Sequence, residues 1–272
     1  MTNATPLIQL VNVSLRFGRQ QVLSNISLDV LPHQTMVLIG ESGCGKSVTL
    51  KLIVGLLRPT EGDVLFEGKS VQSMSDRELT AMRLRVGFVF QGAALFDSLN
   101  VLENVAFGLR AKGGFTESDI RQRVRDKLME VGLPPTAEAK MPAELSGGMR
   151  KRVGLARALA LEPDVMLYDE PTTGLDPIMT DVINELILQT RSRRPVTSLV
   201  VTHEMRTVHK VADRVVMLYP FTRLQAGESQ VLYDGPPQRL QTNLNPRVRQ
   251  FVEGEARDRL SELRGEVDTN PA

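Results

Sequence analysis

The stretch Gly40–Ser47 constrains the fold more than any other feature of this sequence. It matches the pattern G-x-x-x-x-G-K-[S/T] at every fixed position, and it lies between the apolar run Thr35–Ile39 and a segment with helical spacing, Lys46 to about Leu57. A short, continuously apolar run is typical of a parallel strand buried on both faces. Strand, glycine-rich loop and helix in this order predict a loop whose backbone N–H groups, with the helix N-terminus, bind phosphate groups.

Individual residues of this loop can be given roles. Lys46 is placed to reach the β- and γ-phosphates of a nucleotide, and the Ser47 hydroxyl is a candidate ligand of Mg²⁺. The Cys44 thiol lies near a lysine and a helix N-terminus, so we expect a lowered pKa and a reactive thiol whose alkylation blocks nucleotide binding. The predicted phosphate-binding residues are Gly40, Glu41, Ser42, Gly43, Cys44, Gly45, Lys46, Ser47 and Val48.

An acidic pair follows another apolar run. Asp169 and Glu170 come directly after Val165–Tyr168. Ligands of parallel sheets bind at the carboxyl ends of the strands, where this pair is expected to lie. Asp169 is therefore predicted to hold Mg²⁺, and Glu170 to polarise the water that attacks the γ-phosphate.

Two further polar residues occupy the same kind of position. Gln91 follows the predicted strand Val86–Phe90, and His203 follows Leu199–Thr202. An amide at that place can ligate the metal and orient water, and a histidine can contact the γ-phosphate. A lone glutamine is more often a turn residue and a lone histidine more often structural, so these two predictions depend on the whole set of motifs.

A second anion-binding feature lies far along the chain, at Leu145–Met149. Ser146 can cap a helix that is predicted to run to Leu161, and Gly147 and Gly148 leave its first N–H groups uncovered. Two phosphate sites so far apart are not explained within one subunit. They are explained if the second site of one chain closes on the nucleotide of another, in a head-to-tail homodimer.

Composition limits the remaining possibilities. Of the 272 residues 42% are hydrophobic, and 33 Lys and Arg oppose 32 Asp and Glu, for a net charge of +1. This near-neutral balance argues against nucleic acid as a partner. The single cysteine excludes an internal disulfide and favours a reducing compartment. No apolar run approaches the roughly 20 residues of a membrane span, so we expect any membrane link to come through a partner.

The rest of the sequence predicts a mixed α/β chain. Leu7–Phe17 alternates as a half-buried strand, and residues 100 to 157 have helical spacing, with Thr116 and Asp119 as a capping pair. Val215–Tyr219 and Gln230–Tyr233 are predicted to form a closing hairpin, and a charged tail follows Asn245.

Taken together, these motifs resemble those of the nucleotide-binding subunits of ABC transporters over nearly the whole chain. Met149 replaces the usual Gln of the signature LSGGQ, and Thr173-Gly174 replaces the common Ser-Ala of the D-loop. The matching segments are Gly40–Ser47 with Walker A, Gln91 with the Q-loop, Leu145–Met149 with the signature, Val165–Asp169 with Walker B, Glu170 with the catalytic base, Thr173–Asp176 with the D-loop, His203 with the H-loop and Phe17 with the adenine-stacking A-loop.

The resemblance implies a fold and a site. We expect an ABC-type P-loop core with a mainly parallel sheet, an antiparallel β subdomain and an inserted helical subdomain. The expected boundaries are 1–245 for the ATPase domain, about 96–160 for the helical insertion and 246–272 for a charged extension. ATP and Mg²⁺ are the implied ligands, with Ser146, Gly147, Gly148 and Asp176 as further ATP contacts. Phe17 is nearly as well explained as a core residue.

A finer resemblance concerns the transport system. Phe90–Ser98, Pro171–Pro177 and Asn245–Phe251 are similar to the ATPases of Mla/Mce-type phospholipid transporters. That family implies a multi-span permease, an Mce-domain lipid-binding protein and a place on the cytoplasmic side of the inner membrane. The alternative is the ATPase of a glycine-betaine-type osmolyte importer, which usually carries an additional regulatory domain. A soluble ABC ATPase acting on ribosomes or DNA and a binding-only regulatory module are less consistent with the motif set.

Overall fold

A computed structural model describes residues 5–256 of the chain. The strands of this part are β1 (Ile8–Phe17), β2 (Gln20–Val30), β3 (Thr35–Ile39), β4 (Glu61–Phe66), β5 (Lys69–Ser70), β6 (Val86–Val89), β7 (Val165–Asp169), β8 (Thr197–Val201), β9 (Arg214–Leu218) and β10 (Val231–Gly235). The helices are α1 (Lys46–Ile53), α2 (Asp76–Arg83), α3 (Val101–Lys112), α4 (Glu117–Glu130), α5 (Gly147–Leu159), α6 (Pro177–Arg193), α7 (Met205–Val211) and α8 (Pro246–Glu253).

A six-stranded sheet forms the centre of the molecule. Its order is β10-β9-β3-β8-β7-β6, and every pair is parallel except β9 with β10. Every residue of β3, β7 and β8 is buried, as expected of strands covered on both faces. Because β3, β8, β7 and β6 are neighbours and parallel, the four loops that follow them meet at one edge of the sheet.

The two faces of this sheet carry separate hydrophobic cores. Val37 and Ile39 of β3 pack into the core beneath the helices α3–α6, whereas Met36 and Leu38 pack into the core formed with α1 and the antiparallel sheet. The antiparallel sheet has the order β2-β1-β4-β5. The predicted α/β core with an antiparallel β subdomain is therefore confirmed.

Three helices, α3, α4 and α5, pack against one another beside the parallel sheet. The Thr116 hydroxyl accepts from the Asp119 N–H at 3.2 Å and the Asp119 carboxylate accepts from the Thr116 N–H at 3.1 Å, so the predicted capping pair is a complete capping box. Ile120, Val124 and Leu128, which recur at helical spacing along α4, are buried. These helices lie within the predicted helical insertion, residues 96–160.

Helix ends differ from the expected positions. Helix α1 ends at Ile53 rather than near Leu57, because Gly55 takes a left-handed conformation (φ +65°) and the Leu56 N–H returns to the Lys51 carbonyl at 2.9 Å. The charged extension begins with helix α8. The remainder of that extension, residues 257–272, lies outside the described residues.

Candidate nucleotide-binding site

A cavity of about 740 Å³ lies at the edge of the sheet where β3, β6, β7 and β8 end. Loops after all four strands contribute to it, together with β1, β2 and α8. The lining residues are Phe17, Gln20, Val22, Gly40, Glu41, Ser42, Gly43, Gly45, Lys46, Ser47, Val48, Gln91, Glu170, His203 and Phe251. The cavity therefore joins the predicted phosphate loop, the predicted metal-sensing glutamine, the predicted base and the predicted histidine.

The glycines of the phosphate loop permit a conformation that other residues would resist. Gly40 has φ +145°, and a Cβ atom there would lie 2.1 Å from the Leu218 carbonyl oxygen. Gly45 has φ +101°, and its Cβ would lie 2.4 Å from the Leu23 side chain. Gly45 is also the N-cap of α1 and has no side chain to satisfy the first N–H groups of the helix. These donors, at the positive end of the helix dipole, suit an anion.

Lys46 and Ser47 follow directly at the start of α1. The Lys46 ammonium donates to the carbonyl oxygens of Gly40 at 2.7 Å and Glu41 at 3.0 Å, so it lies within the loop that surrounds it. The Ser47 hydroxyl donates to Asp169 Oδ1 at 2.6 Å. The structure thus joins two predicted metal ligands that are far apart in sequence.

The chemistry of this pair fits Mg²⁺. Hydroxyl and carboxylate oxygens are hard donors, and Mg²⁺ in phosphate sites is bound by one or two carboxylates together with substrate oxygens rather than by a protein cage. Within residues 5–256 no group of three or more His, Cys, Asp and Glu side chains is placed to form such a cage. Burial raises the pKa of Asp169, against the opposing hydrogen bond from Ser47.

Glu170 and His203 form a polar pair inside the cavity. His203 Nδ1 lies 2.9 Å from Glu170 Oε2, and the Thr173 hydroxyl donates to the same carboxylate oxygen at 3.0 Å. Glu170 has a left-handed backbone (φ +49°), and its N–H donates to the Val201 carbonyl of β8 at 2.9 Å. A strained conformation held by such contacts is common where a side chain must be presented to a ligand.

Sequence reasoning overlooked Lys151, a half-buried residue of α5. Its ammonium donates to the backbone carbonyl oxygens of Gln91 and Glu170, each at 3.2 Å. Burial lowers the pKa of this ammonium, and the nearby Glu170 charge opposes the shift. Lys151 therefore connects the helix that begins at Ser146 with both predicted catalytic loops. The cluster of basic residues in this helix was the available sequence signal, but long-range contact was not visible in it.

The prediction of a lowered pKa for the Cys44 thiol is wrong. The side chain is fully buried, and this burial raises the pKa of the thiol more than the neighbouring Lys46 charge lowers it. Cys44 does not line the cavity. Its backbone belongs to the loop, but its thiol is inaccessible.

Phe17 is exposed rather than part of the core. Its side chain is 49% accessible and lines the cavity, which removes the core interpretation and leaves a ring available for stacking.

The predicted second anion site lies outside this cavity. The Ser146 hydroxyl accepts from the Met149 N–H at 3.3 Å and caps α5 as predicted, and Ser146 and Gly147 are exposed. Asp176 caps α6 by accepting from the Ile178 and Met179 N–H groups, both at 2.9 Å. Ser146, Gly147, Gly148 and Asp176 do not line the cavity of their own chain.

Fold and cavity together define an α/β nucleotide-binding protein of the P-loop class. Residues 23–173 match the family model described as ABC transporter. The chain belongs to this family, and it is an ATP-hydrolysing cassette.

Individual relatives are similar to this chain over more residues than the family model covers. The chain is 40% identical over 247 residues to the probable ribonucleotide transport ATP-binding protein mkl of Mycobacterium leprae, covering 91% of this chain and 69% of the relative. It is 39% identical over 250 residues to the intermembrane phospholipid transport system ATP-binding protein MlaF of Haemophilus influenzae, covering 92% of this chain and 91% of MlaF. A solved dimer of the ATP-binding cassette MJ0796 with ADP and phosphate superposes with a TM-score of 0.75 at 32% identity, covering 85% of this chain and 98% of that one.

Among residues 5–256 no helix has the length and apolar character to cross a bilayer.

Proposed function

We propose that this protein is the ATPase subunit of a phospholipid transporter. The observation that carries the proposal is the 39% identity to MlaF of Haemophilus influenzae, which extends over 91% of that phospholipid transport protein. The match includes nearly all of this chain, 92%.

The working unit is a head-to-tail homodimer. Each ATP lies between the phosphate loop of one chain, with Lys46, and the helix start at Ser146–Gly148 of the other. Two observations support this arrangement: the N–H groups near Ser146 lie outside the cavity of their own chain, and the similar cassette MJ0796 is a dimer with ADP and phosphate bound. Asp176 belongs to the same composite site.

The side chains at the edge of the sheet have separate roles in hydrolysis. Lys46 balances charge on the β- and γ-phosphates, and Phe17 stacks on adenine. Glu170 accepts a proton from the attacking water, which His203 and Gln91 help to orient. When bound, Mg²⁺ supplies charge neutralisation of the phosphate oxygens, and Ser47, Asp169 and Gln91 would hold it.

A permease is the proposed membrane partner, which places the ATPase on the cytoplasmic side of the inner membrane. The proposed contact region for the permease on the ATPase is the segment after Gln91. In this segment the carbonyl oxygens of Ala93 and Ala94 accept hydrogen bonds from Arg157 at 2.7 Å and 2.6 Å. Beside it Phe96 and Phe107 are 43% and 51% exposed, with ring centroids 4.8 Å apart. This apolar surface, next to a loop that enters the catalytic cavity, suits a short cytoplasmic helix of the permease.

Affinity purification from detergent-solubilised native membranes, with mass spectrometry of co-eluting polypeptides and lipids, tests the proposal. We expect a permease, an Mce-domain protein and stoichiometric phospholipid. A permease that arrives with a soluble osmolyte receptor and no lipid would establish the glycine-betaine-type importer instead. Recovery of no membrane protein would contradict the transporter assignment.

A further inference from the structure

We propose that Phe251, on the C-terminal helix α8, forms a second aromatic wall of the nucleotide cavity and contacts the base of the bound nucleoside triphosphate. The inference rests on the proposed role of this cavity as the ATP site. Phe251 and Phe17 line the same cavity, although they are far apart in sequence and belong to different elements. One part of Phe251 packs against the core, and the remainder borders the cavity.

Helix α8 is held by several independent contacts. Asn245 caps it by accepting from the Arg247 N–H at 2.9 Å, and Val248 is fully buried. Arg247 forms an ion pair with Glu228 at 2.8 Å, and its guanidinium lies 4.9 Å from the centre of the Tyr219 ring. These contacts fix the helix on the loop between β9 and β10, so the position of Phe251 at the cavity is set by packing.

The same contacts reach the phosphate loop. The Tyr219 ring also lies 4.8 Å from the Arg223 guanidinium, and Arg223 forms an ion pair with Glu41 of the loop. A substitution at Phe251 can therefore act in two ways, through direct loss of a base contact or through a shift passed along this network to Glu41. A ligand that has phosphates but no base separates the two.

The chemistry of the cavity favours the base contact. Its phosphate end carries Lys46 and the N–H groups of α1, whereas Phe17, Val22 and Phe251 supply apolar surface to the same cavity. A purine base presents two π-faces, and aromatic rings stack on such faces with little dependence on base identity. Phe251 is therefore expected to add affinity for nucleoside triphosphates in general rather than to select adenine.

The absence of tryptophan from the whole sequence provides a direct probe. Phe251→Trp creates the sole tryptophan of the full-length protein, and we expect its emission to change on saturation with ATP. Leu244→Trp is the matched control, since Leu244 is 90% exposed, precedes the same helix and does not line the cavity. An unchanged Phe251→Trp emission, with ATP binding intact by calorimetry, would overturn the inference.

Phe251→Leu tests the energetic contribution while keeping an apolar side chain against the core. We expect the dissociation constant for ATP to rise about five- to tenfold and that for inorganic tripolyphosphate to stay unchanged. An equal loss for both ligands would show that Phe251 acts through the phosphate loop, and an unchanged ATP affinity would show that it makes no contact; either overturns the inference. Wild-type protein that fails to bind ATP in this cavity, with Lys46→Ala as the reference, would instead refute the proposed ATP site.

Discussion

The two anion-binding regions of this protein are built differently. Gly40–Ser47 contributes to a cavity at the edge of the sheet, where Gln91, Glu170 and His203 also meet. Ser146–Gly148 begins a helix beside the sheet, and the exposed Ser146 and Gly147 line no part of that cavity. The first region lies beside most of the proposed catalytic side chains, whereas the second is the start of a helix that lies outside this cavity.

This difference explains why hydrolysis should depend on assembly. A phosphate loop can bind nucleotide by itself, because the backbone N–H groups and Lys46 surround the phosphates. Negative charge develops on the γ-phosphate in the transition state. Its stabilisation needs further hydrogen-bond donors on the side that faces away from the phosphate loop. In the proposed head-to-tail dimer, helix α5 presents such donors to the other copy of the chain.

Removing the proposed base should have the largest effect. Glu170→Gln keeps the size of the side chain and the hydrogen bond from Thr173 but cannot accept a proton. We expect ATP turnover to fall by about a thousandfold, with an ATP-bound dimer accumulating in gel filtration. Glu185→Gln on the surface of α6 is the control. Normal phosphate release from Glu170→Gln would contradict the assignment of the base.

Mixing two inactive variants tests the composite site. Lys46→Ala damages the cavity, and Ser146→Arg blocks the helix start, so we expect each alone to lose about a hundredfold in turnover. A heterodimer of the two contains one site in which both halves are intact. After random mixing, roughly a quarter of all sites should be intact, and phosphate release should recover in proportion.

No recovery in a sample that native mass spectrometry shows to contain heterodimers would contradict the composite site. A mixture of each variant with itself is the control.

Lys151 connects helix α5 with the loops that contain Gln91 and Glu170. Lys151→Met leaves the carbonyl groups of Gln91 and Glu170 without this donor, and we expect kcat to fall about tenfold because both catalytic loops lose a positioning contact. The dissociation constant for ATP and the melting temperature should change little, and Lys151→Arg should recover part of kcat. Arg121→Met, in an exposed ion pair on α4, is the control. Equal losses in ATP affinity and kcat would argue for a general structural role.

Substitution of Cys44 should have the smallest effect on ATP turnover. Burial keeps the pKa of its thiol raised, so iodoacetamide should label it slowly in the folded protein at pH 7.5, with or without ATP. Full labelling in urea is the control, since Cys44 is the only cysteine. Cys44→Ala should retain ATP turnover within about twofold. Rapid labelling in the native state, with protection by MgATP, would restore the original expectation of a reactive thiol.

Local sequence pattern was sufficient for most of the elements and for the residues at strand ends. Met36–Ile39 is apolar throughout because both faces of β3 are covered. The following glycines are needed because Gly40 and Gly45 adopt backbone angles and close approaches that a Cβ atom would prevent. Such requirements act within a few residues of the chain, so they are visible in the sequence without knowledge of the rest of the fold.

Long-range packing determines the features of the site that local sequence pattern does not predict. The order β3-β8-β7-β6 brings Gln91, Glu170 and His203 to one cavity, and no local pattern specifies which strands become neighbours. The same packing buries Cys44, so that desolvation outweighs the charge of Lys46, and it brings Lys151 and Phe251 to a site that their neighbours in sequence do not indicate. Burial and contacts between distant segments are properties of the folded chain, which is why these features emerge only in three dimensions.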